Sequence, residues 1–382
     1  MARQTLKTTG FASASLLAVA AAGQAQAVDF TVDNTDVTIG GYVKLDAIYN
    51  AGQELGDTAF FAGLDVAAEE NDTDRTGHTN FHARQSRITV QTITDTGLGE
   101  DLTTFVQTDF FGGTGNEVVS NSRSLRLRHA YFEYGGVLAG QTWSNFMPMV
   151  FAPTVDFGGP TGYIFNRQAQ LRYTAPIGTA NFSVSAENPE SNLLAGNSKD
   201  PLPEFTARLA GSTNASSYSL SGVVTQLETD DGINDDSETG VGLNAAGSLT
   251  VGATTIGGQL GYYDGANRYL WQTSSSFANG YVNANGNIET VDQVGAMLYL
   301  DQVLVSSLNA GLVFGLNDAD TSDESAANGL NQSELRTVHA NLRWSPVNNL
   351  SYGAEVQWGE KELHNGNSAD AVNFQVSAKA SF

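Results

Sequence analysis

Seven arginines fall between residues 82 and 175: Arg84, Arg87, Arg123, Arg126, Arg128, Arg167 and Arg172. No lysine accompanies them. A guanidinium presents a planar fork that grips a carboxylate through two parallel hydrogen bonds, whereas lysine acts as a point charge. The chemistry such a set can do is recognition of small anions, carboxylates above all. The same stretch holds seven acids, Asp95, Glu100, Asp101, Asp109, Glu117, Glu133 and Asp156, so its charge balances. The whole chain differs, with 41 acids against 18 bases and a formal charge of −23.

Other chemistries find little support. His78, His82, His129, His339 and His364 are scattered, and no Ser–His arrangement held by a third polar group surrounds them, so no enzyme is predicted. Cysteine is absent, which removes disulfides and thiolate-held metals. Asp318-Ala319-Asp320 starts like a calcium loop but lacks the glycine at the sixth position. No metal or cofactor is predicted. An acidic chain has no basic footprint for nucleic acid.

The elements that must position these arginines are strands. After residue 27 no apolar run is long enough for a helical span. Short segments alternate apolar and polar residues instead, as in Phe374, Val376, Ala378, Ala380 and Phe382 against Gln375, Ser377, Lys379 and Ser381. Sixteen such segments are expected: 37–50, 82–94, 101–111, 123–134, 137–143, 166–175, 179–187, 202–210, 216–227, 238–247, 250–264, 288–301, 304–316, 333–345, 349–362 and 370–382. Their connections alternate long and short. An even strand count with long loops at one end marks a transmembrane barrel, whose strands show one face to lipid and one to water. The fold class predicted is all-β, a 16-stranded antiparallel transmembrane β-barrel with an infolded constriction loop. Tyr49, Phe110, Tyr134, Trp143, Tyr173, Tyr299, Trp344 and Trp358 lie near strand ends, as interfacial girdles require.

Strand phase then sorts the arginines. Ile88, Val90 and Thr92 face lipid, so Arg87 faces the lumen. Leu125 and Leu127 send Arg126 and Arg128 inward. Leu171 and Tyr173 send Gln168, Gln170 and Arg172 inward, and Phe205, Ala207 and Leu209 do the same for Arg208. Arg84 and Arg167 fall out of phase: Arg84 is expected near the rim or a subunit contact, whereas Arg167, bordering the long loop, is counted with Asp109 and the other arginines among the lumenal residues. Beyond Arg128 the phase is open: either Tyr131 points outward, or a bulge turns Ala130, Phe132 and Tyr134 outward. For each lumenal arginine the alternative role is a structural ion pair with Asp109 or Glu133. An arginine facing hydrocarbon at midplane would cost about 2–4 kcal/mol.

Loop 144–165 (SNFMPMVFAPTVDFGGPTGYIF) is apolar for a surface loop. It is expected to fold into the barrel, with Met147, Phe151, Asp156 and Phe157 forming one wall of a constriction and the arginines the other. The alternative is a subunit-contact loop. The acidic loops near Glu69, Glu228 to Glu238 and Asp318 to Glu324 are expected at the rim, solvated or bridged to lipopolysaccharide.

The N-terminus carries Arg3 and Lys7, then the run FASASLLAVAAA at 11–22, then Ala25-Gln26-Ala27. This is the pattern of a secretory signal peptide cleaved after Ala27, leaving one barrel domain over residues 28–382. Both ends of that domain are then periplasmic. A terminal aromatic, Phe382, on an amphipathic last strand is the mark read by bacterial barrel-insertion machinery.

Several motifs are familiar: GYVKLD at 41–46, ARQSR at 83–87, FVQTDFFG at 105–112, LRHAY at 127–131, GQTWSNF at 140–146, DFGGP at 156–160 and RQAQLRY at 167–173. The series resembles the DcaP-like porins of Gram-negative outer membranes, densely over residues 37–175 and as pattern beyond. The resemblance implies a sixteen-stranded homotrimer in the outer membrane that passes small anions, dicarboxylates above all. Some members carry an N-terminal coiled coil; no heptads precede the first strand here. A cation-leaning diffusion porin and a structural or adhesive barrel are the alternatives.

Overall fold

The computed structural model describes residues 27–382 except 72, 74, 75, 117, 231, 233, 234 and 274–276. The predicted leader lies outside the described residues apart from Ala27. The wall begins with β1 (Thr35–Gln53), β2 (Thr76–His82 continued by Arg87–Asp95), β3 (Asp101–Asn116) and β4 (Ser122–Tyr134). It continues with β5 (Val137–Trp143), β6 (Arg167–Ile177), β7 (Ala180–Glu187) and β8 (Glu204–Ser212). Next come β9 (Ser216–Asp230), β10 (Asp235–Val251), β11 (Thr254–Asp264) and β12 (Gln293–Val305). It ends with β13 (Leu308–Ala319), β14 (Gln332–Val347), β15 (Leu350–Leu363) and β16 (Ser368–Ser381). Neighbours pair antiparallel, and β16 returns to β1 with Ser377 opposite Asp46, so the sheet closes. Closure leaves no edge unpaired in hydrocarbon. Where β16 ends, Phe382 and Gly41 exchange backbone hydrogen bonds of 3.0 and 3.1 Å. A short N-terminal strand, Val28–Val32, then takes over β1 as far as Thr35.

All sixteen predicted strands are present, and most run longer than their alternation shows. Seven connections at one end are short, 135–136 being two glycines with φ of 56° and 80°. At the other end, β3, β9, β10, β15 and β16 extend into segments predicted as long loops, so that β3 ends at Asn116 with β4 starting at Ser122, and β15 ends at Leu363 with β16 starting at Ser368. The other connections there are longer, and three of them enter the lumen, through residues 54–71, 144–166 and 265–273.

Two wall irregularities matter for the site. Residues 83–86 leave the ladder and split β2. On β4, Gln107 pairs with His129 but Thr108 pairs with Leu127, so Arg128 is an extra residue. A bulge of this kind shifts strand phase by one and re-aims side chains. It settles the phase left open by the sequence: Tyr131 is buried and Phe132 is 46 % exposed on the outer face.

Candidate permeation site

Loop 144–166 crosses the lumen and is pinned at both ends by wall carboxylates. At its root, the Asn145 N–H donates to Glu187 at 2.7 Å. At its tip, the Val155 and Asp156 N–H groups donate to Glu355 at 2.8 and 3.2 Å. Asn341 links Pro153 O to the same Glu355 carboxylate. Lys44 on β1 donates to Val155 O at 2.9 Å and pairs with Asp46. Gln272 in loop 265–292 is fully buried at φ 64°. Its amide accepts from Phe61 N–H and donates to Ala59 O and Gly159 O, tying three loops together. Backbone groups far from water need such partners, because an orphaned one costs about 1–3 kcal/mol.

The loop lies along the β9–β15 side and presents Phe157 to the opposite wall. There the guanidinium carbons of Arg87, Arg126 and Arg128 sit 5.9, 5.4 and 5.5 Å from the Phe157 ring centre. Arg167 lies 4.6 Å above the Trp143 ring and 5.7 Å from that of Phe165. Phe157 stacks on Phe111 at 4.8 Å and meets Phe165 at 6.0 Å. Cations over aromatic faces are attracted by the ring quadrupole. Arg167, out of strand phase yet expected at the lumen beside the long loop, sits at the strand end, where Trp143 and Phe165 of loop 144–166 lie against its guanidinium.

Asp109, fully buried on β3, joins two of these arginines. Arg126 donates to it through Nε and Nη2 at 2.9 and 2.7 Å, and Arg128 through Nη1 at 2.9 Å. The structural alternative therefore holds for this pair. Arg172 and Arg208 stand lower in contact order, on the loop's root: Arg172 donates to Trp143 O at 2.6 Å and Arg208 to Met147 O at 2.9 Å. Gln170 donates to Trp143 O at 2.9 Å. These three brace the loop.

The loop residues named from sequence separate as well. Met147 is fully buried among Phe146, Val223 and Tyr263, so it is core rather than lining. Phe151 packs against that cluster and Trp143. Asp156 is buried at the tip, accepting from Gly159 N–H at 2.9 Å. Phe157 alone among the four faces the arginines. Arg84 is not at a rim: it is buried and ion-paired with Asp57, because the break at 83–86 abolishes the strand phase used to place it. Trp143 is not a girdle residue but a lumenal ring. Glu187, Glu355 and Gln272 carry no local motif; strand alternation with Val356 outward gives only the inward direction of Glu355.

Among the described residues no group of His, Asp and Glu is placed to hold a metal. Among the same residues no helix is long and apolar enough to cross a membrane, which says nothing of strands. A search of curated proteins finds no match. The family model for DcaP outer membrane protein matches residues 2–371. Among solved structures, the outer membrane channel DcaP of Acinetobacter baumannii has a TM-score of 0.83 at 24% identity, over 92% of this chain and 99% of that one. An anion-selective porin from Comamonas acidovorans gives 0.62 at 14%, over 91% and 100%. OmpF of Salmonella typhi gives 0.60 at 9%, over 93% and 100%. These likenesses are of fold, a porin barrel. With the family model covering nearly the whole sequence, the chain belongs to the DcaP outer membrane protein family.

Proposed function

We propose that this barrel is a passive porin for small anionic solutes, dicarboxylates in particular, which pass alongside the arginine wall and the Phe157 ring packed against it. The observation that carries the reading is the set of guanidinium groups on Arg87, Arg126, Arg128 and Arg167, each within 5.9 Å of a lumenal aromatic ring. A narrow gap with low-dielectric walls focuses such a field, and rings of arginine select anions. The anion selectivity of the Comamonas acidovorans barrel is compatible with it.

In the same reading residues 1–27 are a leader removed on export, and both ends of the remaining chain lie on the periplasmic side. Phe382 is the mark for barrel insertion, the acidic loops meet lipopolysaccharide, and three copies pack wall to wall. The acids outside the arginine stretch favour a second reading, a cation-leaning diffusion porin. Solute flux into proteoliposomes separates the two. Succinate is expected to enter faster than a neutral sugar of equal size, and a diamine slower than both. A diamine that outpaces succinate establishes the second reading.

A further inference from the structure

The arginines at the constriction are not equivalent. Asp109 has every acceptor position filled: Oδ1 takes Arg126 Nε at 2.9 Å and the Phe111 N–H at 3.2 Å, Oδ2 takes Arg126 Nη2 at 2.7 Å and Arg128 Nη1 at 2.9 Å. Arg128 also spends Nε on Gln107 at 2.9 Å, and its side chain is only 3% exposed. Two guanidinium groups and one carboxylate thus share a net charge of one. Strand alternation puts Arg126 and Arg128 on one face of β4 opposite Asp109, and the bulge at Arg128 resets the phase only for the residues that follow.

Arg87 and Arg167 stand on either side, on β2 and β6. Neither side chain makes a hydrogen bond or ion pair among the described residues; each guanidinium lies over aromatic rings. Arg87 Nε and Arg167 Nη1 are enclosed donors without a partner. Both side chains keep partial exposure. Buried donors in proteins are nearly always satisfied, and unsatisfied ones cluster where a ligand completes them. Chains of rings connect the two: Phe157 meets Phe165 at 6.0 Å, and Phe165 meets Trp143 at 5.0 Å.

We propose that Arg87 and Arg167 are the groups that bind the carboxylates of a permeating dianion, and that Asp109 is a specificity-determining residue that withholds Arg126 and Arg128 from it. The proposal rests on the anion reading above. A dianion moving past Phe157 then exchanges between two unneutralised guanidinium groups and does not settle on four. Weak, repeated binding of this kind is what conduction needs, since a site that holds too tightly does not release.

The test is succinate block of single-channel current through the full chain. In Arg87→Gln or Arg167→Gln the apparent dissociation constant rises about tenfold or more, the equivalent of one charge-assisted hydrogen bond. Arg126→Gln, which leaves Arg128 paired with Asp109, keeps the constant within about threefold of wild type. Asp109→Asn alone frees guanidinium groups and tightens block. Migration of unheated samples in gels checks that each barrel is folded; if the Asp109 variant fails there, the arginine variants decide alone. Equal losses in Arg126→Gln and in the Arg87 and Arg167 variants would overturn the division while leaving the anion reading intact. No succinate block in the wild type would overturn that reading instead.

Discussion

Glu355 shows how one side chain sets the constriction. Besides the two loop N–H groups it accepts from Asn341 at 2.9 Å and Gln357 at 2.8 Å, and His339 lies 3.3 Å away. Its truncation leaves two backbone donors unpaired at about 1–3 kcal/mol each. Glu355→Ala is therefore expected to release the loop tip: open-channel current rises, flickers and loses sensitivity to succinate, while the barrel stays folded. Unchanged current noise would show that the loop is held elsewhere. Asp156 adds a pH dependence at the same tip. Burial pushes its carboxyl up to about 6, the Glu355 carboxylate adds to the rise, and His339, the Gly159 N–H and Lys44 oppose it. An acid raised on folding favours the folded state when protonated, and that contribution is lost as pH rises through about 6. Lowering pH from about 7 to about 5 should thus raise the melting temperature by this group's share, and Asp156→Asn should remove that share. A slope identical in the variant would contradict the assignment.

The strands explain why the loop can lie flat. On β13 and β15, Gly311, Gly315 and Gly353 face the lumen beneath it. A Cβ on Gly311 would meet Pro153 O at 2.9 Å, one on Gly315 would meet Thr161 N at 2.9 Å, and one on Gly353 would meet Val155 Cγ2 at 2.7 Å. Gly315→Val should lift the loop off this bed toward the arginines and lower conductance, the opposite sign to Glu355→Ala. An unchanged conductance would mean the wall yields instead. The alternation of outward Leu312 and Phe314 with these glycines was legible in the sequence, as were all sixteen strands, because a two-residue period survives without knowledge of partners. Arg87, Arg126 and Arg172 were placed inward by the same period. Arg84 and the second half of β4 were not, because a strand break and a bulge each reset the phase and depend on neighbours distant in sequence; Arg167, at a strand end, was assigned to the lumen by its bordering loop and not by the period. The lumenal paths of residues 54–71 and 265–273 were illegible for a similar reason: they are fixed by Gln272 and by pairs more than a hundred residues apart, such as Phe61 with Gln272.

At the scale of the whole molecule the wall is uneven. β5 has 7 residues, β7 has 8 and β8 has 9, while β10 has 17. At about 3.3 Å per residue and a tilt near 45°, seven residues rise only about 16 Å, short of an apolar band about 25 Å tall. The low side therefore needs cover from neighbouring copies, which supports the proposed trimer. The chain has no cysteine, so single labels are clean. A spin label at Leu171→Cys on β6 should be shielded from oxygen dissolved in lipid, and one at Leu298→Cys on β12 should be relaxed by it. Equal relaxation at both would place the low wall against lipid.

Net charge at this scale argues one way and the constriction the other: −23 over the chain, with the arginines gathered around Phe157. The reversal potential of the wild-type channel in a potassium chloride gradient decides which field governs passage. The arginine constriction predicts a potential displaced toward the equilibrium value for chloride. A potential displaced toward that for potassium would contradict it.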